Sequence, residues 1–90
     1  MPRINLIVKG RVHGVGFRFF SSRTANSLGL KGIVRNLPNG CVEIIAEGPK
    51  PMLDKLLERI RDGPITARVD DVDCKWEEEK NEFSCFEIKF

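Results

Sequence analysis

The sequence predicts an α+β sandwich in which two helices cover one face of a mostly antiparallel sheet. The expected order is strand, helix, strand, strand, helix, strand, with an extra strand at the C-terminus. Three observations carry this reading. Hydrophobicity alternates with period two near both ends of the chain and in its middle; two intervening stretches switch to helical spacing; and an Asn-Gly turn separates the two central strands. Residues 1–90 read as a single domain. A chain of this size buries somewhat more than the roughly 60% of unfolded-chain surface that a domain of about 60 residues manages, so it can build a core without staples.

Each element has its own signal. Ile4, Leu6 and Val8 alternate with Asn5 and Lys9, the pattern of a strand with one buried face, and the pattern stops at Gly10. From Phe17 to Leu28, the residues Phe17, Phe20, Thr24, Ala25 and Leu28 share one helical stripe, and Gly29 stands where a left-handed C-terminal cap is expected. Gly32–Asn36 and Cys41–Glu47 flank Leu37-Pro38-Asn39-Gly40, strong turn chemistry that joins the second and third strands in a hairpin. Met52, Leu53, Leu56, Leu57 and Ile60 recur at helical spacing after Pro51, with Arg59 and Arg61 in the last turn before Gly63. The connection from Asp62 to Arg68 is the one long linker. Val72, Cys74 and Trp76 then alternate with charged residues, and Phe86, Ile88 and Phe90 do so again after the charged stretch Glu78 to Glu82. These last two strands read as hairpin partners. Right-handed crossovers through the two helices turn this order into the split β-α-β arrangement of a ferredoxin-like sandwich.

Composition narrows function mainly by exclusion. A formal charge of +2 is too small to argue for nucleic acid or a membrane surface, though it does not repel a small anion. Cys41, Cys74 and Cys85 are odd in number, widely spaced and free of any C-x-x-C pair, which argues against a disulfide framework and a zinc site. They read as reduced, half-buried apolar fillers of a cytosolic protein. The N-terminus has no apolar signal core, and no apolar run approaches the roughly 18 residues needed to span a bilayer.

The stretch Gly10-Arg11-Val12-His13-Gly14-Val15-Gly16-Phe17-Arg18 carries the chemistry. It places a glycine-rich turn between a strand and a helix, where backbone N–H groups converge and the positive end of the helix dipole points at the same spot. Arg18 adds a guanidinium fork that suits phosphate. Taken singly, each feature has a plainer reading. Gly14 and Gly16 suit any tight turn, Arg18 any exposed first turn, and Asn36 the start of the Leu37-Pro38 turn. A cation in the first turn of a helix does oppose the dipole, however, and a bound anion would compensate it. His13, at a strand end, reads as a local hydrogen-bonding group or as a group that tunes the site near neutral pH.

Two stretches, Gly10 to Arg18 and Gly32 to Val42 together with Gly48, resemble the two acylphosphatase signatures in sequence, order and separation. The resemblance covers essentially the whole chain, including the aromatic C-terminal strand Phe86–Phe90. It implies an acylphosphatase-like domain over residues 1–90 that hydrolyses the mixed anhydride of a small-molecule acyl phosphate. The products are a carboxylate and inorganic phosphate, and no metal or cofactor takes part. By the same resemblance, Arg18 binds the phosphoryl group and Asn36 holds the attacking water. The loop of His13, Gly14, Val15, Gly16, Phe17 and Arg18 cradles the phosphoryl oxygens. The chemistry is sound for these residue types. A carboxylate leaves without a general acid, and phosphoryl transfer asks mainly for positioning and charge stabilisation. A neutral amide can accept a hydrogen bond from water while donating another to phosphate. Position 13 carries His where the family usually has glutamine, which bears on the loop and its pH response. Position 33 carries Ile where an aromatic is usual, which bears on packing beside Asn36.

Two other readings compete. His13-Gly14-Val15-Gly16-Phe17-Arg18-Phe19-Phe20 superficially resembles the RNP1 octapeptide of RNA-recognition motifs, but RNP1 lies on a third strand and only twelve residues precede this stretch. The same cradle could belong to a non-catalytic anion-binding regulatory domain, such as the acylphosphatase-like domains of larger carbamoyl-transfer proteins. A free-standing chain that ends at Phe90 and holds both Arg18 and Asn36 favours the enzyme. The expectation is a cytoplasmic monomer with no nucleic-acid or membrane partner.

Overall fold

The computed structural model describes residues 1–90 and contains seven elements. In chain order they are β1 (Arg3–Arg11), α1 (Phe17–Ser27), β2 (Lys31–Asn36), β3 (Val42–Glu47), α2 (Lys50–Asp62), β4 (Arg68–Glu77) and β5 (Phe86–Lys89). One sheet has the order β4-β1-β3-β2-β5, antiparallel throughout except where β5 runs parallel to β2. Ile4, Leu6 and Val8 of β1, Val34 of β2 and Val42, Ile44 and Ala46 of β3 are fully buried on one face. Against them pack Phe17 and Ala25 of α1 and Leu53, Leu56 and Ile60 of α2, the residues that helical spacing selects. Ser21 and Thr24 are buried on the same helix without penalty, because their hydroxyls donate to the carbonyls of Phe17 and Phe20, both at 2.8 Å.

The central hairpin closes as its turn residues dictate. The Leu37 N–H donates to the Cys41 carbonyl at 2.8 Å, and the Asn39 side chain accepts from the Cys41 N–H at 3.1 Å. No helix is long and apolar enough to cross a membrane.

Three expectations need correction. The fifth strand is not a hairpin partner of the fourth: β4 borders β1 at one edge, and β5 pairs with β2 at the other. Residues 78–85 are therefore no tight turn but a connection along one end of the sheet. Secondly, β1 does not stop at Gly10. It continues to Arg11 through a register shift between Lys9 and Gly10, where a Cβ on Gly10 would lie 2.1 Å from the Arg68 carbonyl oxygen. Its partner β4 correspondingly begins at Arg68, four residues before the alternating apolar pattern at Val72. An edge strand with little burial leaves no apolar periodicity to read.

The third correction concerns the cysteines. Only Cys74 is half-buried; Cys41 is buried and Cys85 exposed, and all three are free. Burial pushes the Cys74 thiol up from its ordinary pKa, and a hydrogen bond from Cys85 Sγ to Glu87 Oε1 at 3.3 Å pushes Cys85 up. Both therefore stay protonated and weakly nucleophilic near neutral pH.

Arg3, at the start of β1, organises the crossing connection. Its side chain is almost wholly buried; Nη1 donates to Glu82 at 2.9 Å and Glu47 at 3.4 Å, and Nε lies 3.4 Å from a Glu77 oxygen without hydrogen-bond geometry. Glu47 also accepts from the Lys80 N–H at 2.9 Å, and the Arg3 guanidinium sits 5.4 Å from the centre of the Phe83 ring. Burial opposes the charge on Arg3, but the hydrogen bonds and charges of Glu82 and Glu47 outweigh it and raise its pKa.

Arg3→Met leaves Glu47 buried without its cation and is expected to lower unfolding stability by about 3 kcal/mol, read as a drop in urea midpoint. Leu56→Ala empties a fully buried site and should cost about 2–5 kcal/mol in the same measurement. An unchanged midpoint would remove either residue from its structural role.

Candidate active site

The end of the sheet opposite Arg3 gathers the chemistry. There β1 delivers the chain into the loop 12–16, β2 ends at Asn36, and β5 ends at Lys89. A small cavity of about 100 Å³ lies between them, lined by Val12, Gly14, Gly16, Phe17, Arg18, Phe19 and Asn36. That is well above the roughly 10–15 Å³ that a single water needs.

The loop is shaped to present donors. Gly14 and Gly16 take φ of 71° and 76°, left-handed conformations that side chains rarely adopt, and Gly16 is the N-cap of α1. No side chain caps the helix, and its first turn holds no acidic residue. The N–H groups of Gly14, Val15, Gly16, Phe17, Arg18 and Phe19 donate to no protein acceptor. A row of unused donors at a positive helix end is a strong anion site.

Arg18 stands in that first turn, where its charge opposes the dipole. One Nη donates to the Lys89 carbonyl at 3.3 Å, and the guanidinium lies 4.7 Å from the centre of the Phe90 ring. No carboxylate neutralises it. Asn36 occupies the last position of β2, on the inward face that it shares with Val34. Its Oδ1 is buried and accepts no hydrogen bond from the protein. A buried acceptor without a donor is costly, and the residue that carries it lines the same cavity as Arg18 and the loop glycines.

Of the expected site residues, the structure thus brings together Gly14, Gly16, Phe17, Arg18 and Asn36. Two others turn their side chains away. His13 Nε2 lies 2.7 Å from the Cys41 carbonyl oxygen, so the ring donates to that oxygen and ties the loop to the β2–β3 hairpin. The Val15 side chain lines a different groove, and the Val15 carbonyl accepts from the Thr66 hydroxyl at 2.8 Å. Phe19, Lys89 and Phe90 are the neighbours that sequence reasoning did not single out. Phe19, 63% exposed, lines the cavity, and Phe90, 92% exposed, lies against Arg18 beside it. No three of the His, Cys, Asp and Glu side chains converge to hold a metal ion.

Comparison with known proteins identifies the family. The acylphosphatase family profile matches residues 4–88. The chain belongs to the acylphosphatase family. It is similar to an acylphosphatase of Thermus thermophilus, with 51% identity over 79 residues covering 88% of this chain and 90% of the relative. The crystal structure of acylphosphatase from Bacillus subtilis superposes with a TM-score of 0.96 at 36% identity, covering all of both chains. Full-length HypF in its phosphate- and nucleotide-bound form superposes with a TM-score of 0.85 at 28% identity, but the match spans only 12% of that chain. Acylphosphatase activity, the hydrolysis of acyl phosphates, follows for this chain from the family and from relatives matched over nearly their whole length.

Gly16→Ala meets no steric obstacle, since nothing lies within 4 Å of the added Cβ, so its cost is that of the left-handed backbone. That cost is about 1–2 kcal/mol, to be read from the urea midpoint. A variant as stable as the parent would show that the loop does not require this conformation.

Proposed function

We propose that this acylphosphatase works without a metal, with Arg18 and the loop N–H groups holding the phosphoryl oxygens and Asn36 holding the attacking water. The observation that carries the reading is the orphaned Oδ1 of Asn36, a residue that lines the same cavity as the unneutralised Arg18 and the glycines of a loop whose N–H donors are unused. The oxygen is suited to accept a hydrogen bond from water, which fixes a water lone pair toward phosphorus. Attack forms the new P–O bond as the bond from phosphorus to the acyl oxygen breaks, and the carboxylate departs with the electron pair. Carboxylates are weak bases, with pKa near 4, so departure needs no proton donor. The water proton passes to the phosphate product. Charge on the equatorial oxygens in a loose transition state is met by donors already oriented toward it, which favours the transition state without reorganisation.

The loop is the stretch from His13 to Arg18. His13 serves it by anchoring it to the hairpin through Cys41, and Val15 by anchoring it to Thr66. Residues 1–90 act as one domain. The free thiols and the charged outer helix faces support a cytoplasmic monomer whose partners are a small acyl phosphate and phosphate alone.

Loss of benzoyl phosphate, followed by ultraviolet absorbance in excess EDTA, tests the proposal. Rapid hydrolysis is expected, whereas a folded protein that turns nothing over would indicate an anion-binding domain. Arg18→Ala should lose about 10³-fold or more in kcat/KM together with affinity for product phosphate, because the charge acts on bound phosphate and transition state alike. Unaltered phosphate inhibition in this variant would contradict the role. Asn36→Ala should keep phosphate affinity within a few fold and lose about 10²-fold or more in kcat, since water placement counts in the chemical step. A normal turnover number would take Asn36 out of the mechanism.

A further inference from the structure

The largest cavity of the molecule is not the cradle. It is a groove of about 530 Å³ between α1, α2 and the connection from Gly63 to Ala67, within the roughly 300–1,000 Å³ typical of small-molecule sites. Its lining shares only Gly16 with that of the cradle cavity, and it also takes Val15 from the cradle loop. Val15, Phe20 and Pro64 give it apolar surface, and Arg23 of α1 and Arg59 of α2 give it two cations. Neither guanidinium is in an ion pair or a side-chain hydrogen bond, and no acidic residue lines the groove. By contrast, Arg35 and Arg68 on the sheet hold Glu43 at 2.7 Å and Asp70 at 2.9 Å. Arg59 also stands in the last turn of α2, where the helix dipole favours a cation; Arg23 lies in the middle of α1 and has no such partner.

We infer that this groove is a second binding site, which takes a small organic carboxylate with an apolar body. Two planar forks with free N–H groups recognise a carboxylate through paired hydrogen bonds, and the apolar surface rewards burial of the rest of the ligand. Inorganic phosphate would satisfy the cations but leave the apolar wall wet, so the groove discriminates against the anion that the cradle favours. The groove backs on the cradle loop through the bond from Thr66 to the Val15 carbonyl, and the lining residues allow both sites to be filled at once.

The test is a titration of ¹⁵N-labelled protein with 2-naphthoate, in the absence and in the presence of saturating inorganic phosphate. Saturable shifts are expected at the amides of Arg23, Ser27, Arg59 and Thr66, with the same midpoint in both conditions. The Arg23→Gln/Arg59→Gln variant should bind at least tenfold more weakly while its circular dichroism and its phosphate shifts at Gly14 and Arg18 persist. If that variant does not fold, Arg23→Gln alone should weaken binding at least threefold. Absence of saturable shifts, a midpoint that rises with phosphate, or a folded variant that binds as tightly as the parent would overturn the inference. Failure of phosphate to shift Gly14 and Arg18 would count against the cradle and leave the groove result standing on its own.

Discussion

A single buried guanidinium governs how the sheet is assembled. Arg3 lies where β1 begins, β3 ends and β4 ends, and it draws Glu47, Glu77 and Glu82 to one point. Three carboxylates cannot share so small a space unless a cation holds them, and a buried cation cannot persist unless carboxylates surround it. The mutual requirement fixes the path of residues 78–85 along the end of the sheet. That path in turn brings Phe86 alongside Gly32 and starts the parallel pairing of β5 with β2. The far end of β5 then delivers the Lys89 carbonyl and the Phe90 ring to Arg18. The charge cluster at one end of the sheet is thereby coupled, through one short strand, to the guanidinium at the other.

The two ends treat polar groups in opposite ways. At the Arg3 end, the charges are matched within the protein, and the one buried guanidinium nitrogen without a hydrogen bond is Nε. At the Arg18 end, the ordinary rules of stability are broken together. The helix start has no cap, a cation faces the positive end of a dipole, glycines hold left-handed conformations, and a buried amide oxygen lacks a donor. Any one of these could be a local accident of packing. Their convergence on a cavity of about 100 Å³ is what the proposed reading explains, since a phosphoryl ligand and a water would supply the missing partners. The fold offsets this local cost with a core of fully buried aliphatic residues shared by β1, β3 and α2.

Much of this was legible in the chain. Helical stripes and alternation located five of the elements, because a face packed on the core must show as a period, and the turn chemistry of Leu37 to Gly40 located β2 and β3. The Gly14 and Gly16 turn with Arg18 was legible because dipole and charge conflict there on paper as in space. Asn36 could be paired with that turn only through the family resemblance, since nothing local to β2 says what its side chain will meet. Pairing of the last strand was misread because the charged stretch Glu78 to Glu82 looks like a turn; its Glu82 instead serves Arg3, 79 positions away in the chain, and its Glu79 the N-terminal ammonium. The opening of β4 was invisible for a different reason, since an edge strand that buries little carries no alternation.

By itself, then, the sequence determined the elements, the two-layer fold, the donor-rich loop and the family, because these rest on periodicity, backbone freedom and motif spacing that act over a few residues. Only the tertiary structure decided which edge receives β5, which way His13 and Val15 turn, that Phe90 stacks on Arg18, and that Asn36 keeps an unused oxygen. Those outcomes depend on competition among distant groups for one cation, one carbonyl or one cavity. Such competition has no local signature, because its terms become comparable only when the chain has closed on itself.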